Sequence, residues 1–423
     1  MNFDLILAVI FYLIVLIFYF KNKKKFEVQG KIFLLYKTKW GLKLMDKIAS
    51  DPAKKIRNIG LIILVISFIF FFFKLWLISL ILFLLSLMLI KPLRLLGIMG
   101  IIISFLGMFF IVYYLIKATY DLIFVPNAIP ALAPVLPGIQ ILPGLPILGF
   151  WHWIITILIV AAIHEFSHGV YARLFKIKIN SSGFAFLGPL LAAFVEPDEK
   201  QLKKKPKKQQ LAIFSAGPFS NLVLGLLLFL LIPLAFNPIG AAISTSDGLI
   251  VQDIQENLSA FNAGVESGMK VIGVNDMPTL NSISFFNELQ KQSSSFILNT
   301  DKGDFTIFPD GEGKLGITLS ENLIPKEGVS SFFLSMFLWF SVLLKWLFMI
   351  TIGIGLFNLL PLGPVDGGRM FYAGLSFFIK SEKKVKVIWS YVGFACLALI
   401  IINLLPFIFK LLLFIFKPVI NLL

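Results

Sequence analysis

Apolar runs long enough to cross a lipid bilayer recur along this chain, and they constrain its fold more than any other feature. A helix needs about 20 consecutive apolar residues to span the hydrocarbon core, and candidate runs occupy residues 3–20, 59–90, 95–116, 149–172, 211–236, 331–357 and 387–405. Inside hydrocarbon the backbone N–H and C=O groups must be satisfied within the segment, so such runs fold as helices. The stretch 406–423 carries Lys410 and Lys417 and is equally compatible with lying along the interface. The first run lacks a basic leader and a small-residue cleavage site, and is expected to be a retained anchor. With 58% hydrophobic residues against roughly half in a soluble chain, the sequence reads as a multi-pass membrane protein.

The net charge of +15 does not point to nucleic acid, because the basic residues cluster in short loops beside the apolar runs, as the positive-inside rule requires of cytoplasmic loops. Residues 21–57 hold 12 Lys and Arg against Glu27, Asp46 and Asp51, so this loop is expected to be cytoplasmic. Lys74 splits the run 59–90. A hairpin turning there places both "KPLR" at 91–94 and "KQLKKKPKK" at 200–208 inside, whereas a single helix would put the second cluster outside, so the hairpin fits better. On this threading residues 117–148 are external, and their prolines exclude a helix; a rigid linker and a lid both fit. The single cysteine, Cys396, lies in an apolar run and excludes an intrachain disulfide and a cysteine-based metal site.

Two of the three histidines fall in "HEFSH", at the end of the run 149–172. His164 and His168 are four residues apart, which places both imidazoles on one helix face. Glu165 can approach a water on an ion held between them, the arrangement in which two histidines bind zinc and a glutamate acts as general base. A charged side chain at mid-membrane costs at least about 2.5–3.5 kcal/mol, so these groups need partners; a polar helix end snorkelling to the interface is the plainer alternative. His152 reads as an interfacial or capping histidine. Catalytic zinc usually takes three protein ligands, and with cysteine unavailable an acidic residue in a membrane segment must supply the third. Asp366 is the candidate, in "NLLPLGPVDGGR", where prolines and glycines break the helix; it also suits a cap for the following helix.

"HEFSHG" at 164–169, "SAGPFSN" at 215–221 and "FNLLPLGPVDGG" at 357–368, in that order on three apolar segments, resemble the site-2 protease family of intramembrane zinc metalloproteases. "AFVEPDE" at 193–199 is similar to a stretch often found between the first two motifs. The resemblance implies one catalytic Zn2+ bound by His164, His168 and Asp366, Glu165 as the catalytic glutamate, and Asn358 as a group that steadies substrate or oxyanion. Gly217 and Pro218 read as helix packing or a kink, and Asn221 as a hydrogen bond across the bundle. The family's use of an edge strand for an unwound substrate suggests residues 181–195 as a re-entrant element; on length alone a surface segment fits as well.

Residues 237–328 alternate apolar and polar residues, with glycine-rich turns, and are expected to be mostly β. "LSAFNAGVESGMKVIGVNDMPTLNS" at 258–282 is similar to a PDZ pattern, departing from it where Met269 follows Gly268. The expected fold class is therefore a polytopic α-helical membrane protein with a small, mostly-β PDZ-like domain. The organisation is 1–148, accessory membrane region and Pro-rich segment; 149–236, first half of a catalytic core; 237–328, PDZ-like domain; and 329–423, second half of the core. The expected function is zinc-dependent proteolysis of transmembrane protein substrates at the cell membrane. The lipid bilayer is the surroundings, nucleic acid is no partner, the active site is cytoplasmic, and an external PDZ-like domain binds peptide or acts as a steric gate. A silent scaffold and an ion-coupled transporter are the competing classes.

Overall fold

The computed structural model describes residues 3–29, 33–50, 54–72, 92–126, 128–138, 148–187, 190–255, 258–291, 295–309 and 315–420, with scattered positions between 75 and 86. The expected hairpin turn at Lys74 lies outside the described residues. The chain divides into two compact units, one of residues 1–135, 149–227 and 346–423, the other of residues 136–148 and 228–345.

Helix α1 (Phe3–Lys21) is followed by strands β1 (Phe26–Gln29) and β2 (Phe33–Thr38), then helices α2 (Leu42–Ala49), α3 (Lys54–Phe72), α4 (Pro92–Phe124) and α5 (Phe150–Leu174), and then strands β3 (Ile179–Leu187) and β4 (Leu190–Pro197). Then come α6 (Glu199–Lys203) and α7 (Lys207–Leu231), which a π turn over Ile232–Phe236 joins to α8 (Asn237–Ile243). The second unit holds β5 (Ser244–Ile254), α9 (Ser259–Asn262), β6 (Lys270–Val274), β7 (Met277–Pro278), α10 (Ser282–Gln290), β8 (Phe296–Thr300), β9 (Gly303–Ile307) and β10 (Ile317–Pro325). Helices α11 (Ser331–Phe357), α12 (Asp366–Phe378) and α13 (Glu382–Ile420) complete the chain.

Five helices among the described residues are long and apolar enough to cross a membrane: Leu93–Phe124, Phe150–Leu174, Lys207–Ile243, Ser331–Phe357 and Glu382–Phe409. The protein is polytopic and helical, with a β domain. One expected boundary changes. The helix over residues 237–243 continues the span from Lys207, so the first strand of the insert starts only at Ser244. Residues 406–420 continue the helix α13.

Residues 21–57, expected as a basic cytoplasmic loop, contain β1, β2 and α2. The hairpin β1–β2 adds to β3–β4 to make an antiparallel sheet in the order β1-β2-β3-β4. Tyr36 of β2 lies opposite Phe184 of β3, and a Cβ on neighbouring Gly183 would collide with the Tyr36 carbonyl oxygen, so the junction needs glycine there. Ser181 Oγ donates to Glu196 Oε2 at 2.6 Å, and Lys37 Nζ lies 2.7 Å from Glu27 and 3.5 Å from Glu196. The Glu27 hydrogen bond pushes the pKa of the Lys37 ammonium above the ordinary lysine value. Helix α2 then packs on α5: a Cβ on Gly169 would lie 2.6 Å from Met45 Sδ, and Asp46 pairs with Arg173 at 3.1 Å.

The proline-rich segment 128–135 is non-helical, as its prolines require, and three helices pin it. Buried Asn403 of α13 accepts from the Ala131 amide at 3.1 Å and donates to Thr119 of α4 at 2.8 Å, while Trp153 of α5 donates to the Val135 carbonyl at 2.9 Å. Irregular backbone among membrane helices is tolerated where neighbours satisfy it in this way.

The second unit carries an antiparallel sheet in the order β10-β5-β6-β8-β9, with β7 beside β6. Leu249, Val251, Val271 and Leu298 are fully buried in its core with Phe285 of α10. Asn275 and Asp276, both at positive φ, make the tight turn from β6 to β7. Met269, the residue that departs from the PDZ pattern, is buried in this core.

Candidate metal centre

Helix α5 presents His164 and His168 from adjacent turns of one face. Their Nε2 atoms are 3.2 Å apart, and Asp366 Oδ2 lies 3.0 Å from the first and 3.1 Å from the second. The three side chains are 8, 11 and 15% exposed. A tetrahedral ion with bonds of about 2.0–2.2 Å sets neighbouring donor atoms about 3.3–3.5 Å apart, close to this triangle. Two imidazole nitrogens and a carboxylate oxygen are the donor set such an ion prefers.

The backs of both rings are tied down. His168 Nδ1–H donates to the Ile213 carbonyl at 2.7 Å, which leaves the Nε2 lone pair facing inward. His164 Nδ1 lies 3.1 Å from the carboxamide nitrogen of buried Asn221, whose Oδ1 has no hydrogen-bond partner among the described residues. Rotating that carboxamide by half a turn presents the orphaned oxygen to an Nδ1–H, the tautomer that frees Nε2 for a metal. Asn221 thus acts on His164, where the sequence suggested only a bundle contact.

Gly217, on α7, matters by what it lacks. A Cβ built there would lie 2.5 Å from His164 Nε2 and closer still to His168 Nε2, so the missing side chain leaves open the space toward which both nitrogens point. The residues present therefore fit a zinc ion.

Asp366 reaches the histidines through the turn before α12. Gly367 N–H donates to the Asn358 carbonyl at 2.7 Å, Val365 N–H to Leu362 at 3.1 Å, and Gly368 N–H to Val365 at 3.1 Å. Cβ atoms on Gly367 and Gly368 would collide with the backbone of Leu359, Leu360 and Leu362, so the paired glycines allow the turn to close. Asp366 is the first helical residue of α12, preceded by Val365 at the cap position without a side-chain hydrogen bond. Its carboxylate turns to the histidines instead of capping the helix.

Asn358 stands at the end of α11, where its Nδ2 donates back to the Ile354 carbonyl at 3.0 Å. Its backbone, through Gly367, holds the Asp366 turn. Glu165 Oε2 accepts from the Val195 amide of β4 at 3.1 Å. His152 lies in the first turn of α5, 12 residues before His164 and so about 18 Å along the helix from it. The "AFVEPDE" stretch proves architectural: Glu196 binds Ser181, Asp198 caps α6 through the Gln201 amide at 2.9 Å, and Glu199 pairs with Arg369 of α12 at 2.7 Å.

Asn221→Leu keeps the side-chain volume and removes the hydrogen bond to His164. It is expected to weaken zinc affinity about 10–100-fold while the fold persists; competition titration with a chelator measures this.

The sequence compares with known proteins as the geometry leads one to expect. It is 32% identical over 230 residues to an uncharacterised protein of Methanocaldococcus jannaschii, covering 52% of this chain and 56% of that protein. It is 22% identical over 304 residues to a Clostridium perfringens protein whose name places it provisionally among the zinc metalloproteases, covering 56% of this chain and 86% of that one. The model of peptidase family M50 matches residues 152–401, a span that contains both histidines, Glu165, Asn221 and Asp366. That is more than half of the chain, and on this match the protein belongs to peptidase family M50, the site-2 protease family.

Proposed function

We propose that this protein is an intramembrane zinc metalloprotease that hydrolyses peptide bonds within or beside transmembrane segments of membrane-protein substrates. The observation that carries the reading is the convergence of His164 and His168, on a helix long and apolar enough to cross a membrane, with Asp366 from the turn before α12, beside Glu165. His164 Nε2, His168 Nε2 and Asp366 Oδ2 would hold the ion. When bound, zinc supplies a Lewis acid that polarises a carbonyl and lowers the pKa of a water to about 7. Glu165 accepts the proton of the attacking water at a carboxylate oxygen and delivers it to the leaving amine. The Ile213 carbonyl and Asn221 hold the imidazole rings in place throughout. Asn358 steadies the substrate or its developing oxyanion once its carboxamide leaves the Ile354 carbonyl.

A helical substrate must unwind before its carbonyl is accessible, and an extended segment needs partners for its backbone groups. Strand β4 provides them, since it is an edge of its sheet. Val195 donates outward to Glu165, and Ala193, two residues along, turns its amide the same way. An incoming strand thus competes with Glu165 for the Val195 amide, so pairing also releases the general base. The active site faces the cytoplasm, where the lysines of 200–208 lie, and the β domain is PDZ-like and external, working as a steric gate. Clearance of signal-peptide remnants and regulated cleavage of signalling proteins both fit this chemistry.

Ala193→Pro tests the substrate strand. Proline is tolerated on a sheet edge but cannot donate. Cleavage of a purified single-span substrate in detergent is expected to slow several-fold, the loss of about 0.5–1.5 kcal/mol, with zinc content unchanged. An unchanged rate would remove β4 from the mechanism.

A further inference from the structure

A cavity of about 290 Å³ lies where α4 and α7 begin and α5 ends. Its walls are apolar, formed by Ile98 and Ile101 of α4, Phe175 at the end of α5 and Ala212 of α7. Its rim carries Arg94, Lys208 and Gln209. Gly97 brings the helices together here, for a Cβ on it would lie 2.8 Å from the Tyr171 ring and 3.6 Å from Ala212.

Both rim cations are exposed, and neither has an acidic partner among the described residues. Arg173 and Arg369 of this unit, by contrast, are paired, with Asp46 and Glu199. Arg94 and Lys208 are each the second residue from the start of a membrane span, counted from Leu93 and Lys207. Ile101 lies seven residues deeper than Arg94, about 10 Å along the helix. Charge at the headgroup level above an apolar slot at the level of the first acyl methylenes matches one kind of ligand.

We infer that this cavity binds an anionic glycerophospholipid, its phosphate between Arg94 and Lys208 and the start of an acyl chain against Ile98, Ile101 and Phe175. Basic pockets between membrane helices recognise lipid headgroups in this way. Free phosphate would leave the apolar walls unused, and a zwitterionic headgroup would bring its own cation to a site that already holds two. Phe175 caps the helix that carries His164 and His168, so the bound lipid also braces the end of that helix.

The test is the melting temperature of the detergent-purified full-length protein with added dioleoyl phosphatidylglycerol, dioleoyl phosphatidylcholine or glycerol 1-phosphate at equal concentration. Phosphatidylglycerol alone is expected to raise it by a few degrees. Arg94→Gln with Lys208→Gln is expected to reduce the rise to the phosphatidylcholine level. Lys203→Gln with Lys204→Gln, outside the cavity, is expected to leave it intact. Should the first pair destabilise the protein, Ile101→Trp fills the slot with both cations retained, and is expected to abolish the rise. An equal rise with phosphatidylcholine, a rise with glycerol 1-phosphate, persistence of the rise in the cavity variants, or its loss in the Lys203 and Lys204 variant would each overturn the assignment.

Discussion

Glu165→Gln is expected to lower cleavage of a transmembrane substrate by about 10²–10⁴-fold, the usual contribution of a general base, while zinc stays bound at its wild-type level. The substitution keeps the volume of the side chain and an oxygen to accept the Val195 amide, so the resting contact of 3.1 Å with β4 survives. What disappears is the ability to take a proton. Glu165 does not belong to the triangle of ligand atoms, so metal content should not change. The loss should appear equally in kcat and kcat/KM, since the interaction removed is one made in the transition state. If the variant still cleaved at the wild-type rate, another group would be the base.

Gly217→Ala should be almost as damaging, by a different route. The Cβ built at this position sits 2.5 Å from His164 Nε2, in the space the ion needs. Zinc content is expected to fall below about a tenth of the wild-type value if affinity drops by two orders of magnitude or more, and activity with it. The helix itself should not suffer, because alanine is about 1 kcal/mol more favourable than glycine in a helix interior. The methyl also crowds both tethered imidazoles, so a metal-free sample should melt somewhat below metal-free wild type. A glycine needed only for helix packing would give lowered stability with zinc retained.

Much of this arrangement was legible in the sequence. Five of the seven apolar runs announced the membrane spans found among the described residues, since hydrocarbon admits few other backbone structures. The four-residue spacing of His164 and His168 announced a shared helix face. The third donor was accessible to reasoning because an aspartate among prolines and glycines in an apolar segment is costly without a partner.

Other parts were not legible, for identifiable reasons. The Ile213 carbonyl and the Val195 amide are backbone groups and carry no residue signature. Asn221 reads as a polar residue on a membrane helix, and only the folded bundle shows that it lies behind His164. The hairpin β1–β2 was hidden by its lysines, which read as loop; its strands are short, and the pairing of β2 with β3 joins residues about 150 positions apart. The continuation of the span from Lys207 to Ile243 was hidden by Pro233, which lies in the π turn, and Pro238, which sits in the first turn of α8.

The central claim is that one ion is held between the histidines of one helix and a carboxylate 198 residues beyond His168. Elemental analysis of the purified protein beside its Asp366→Ala variant tests it most directly. About one zinc per chain in the wild type and a small fraction of that in the variant is the predicted result. Equal zinc in both proteins would contradict the account, because the third ligand would then lie elsewhere.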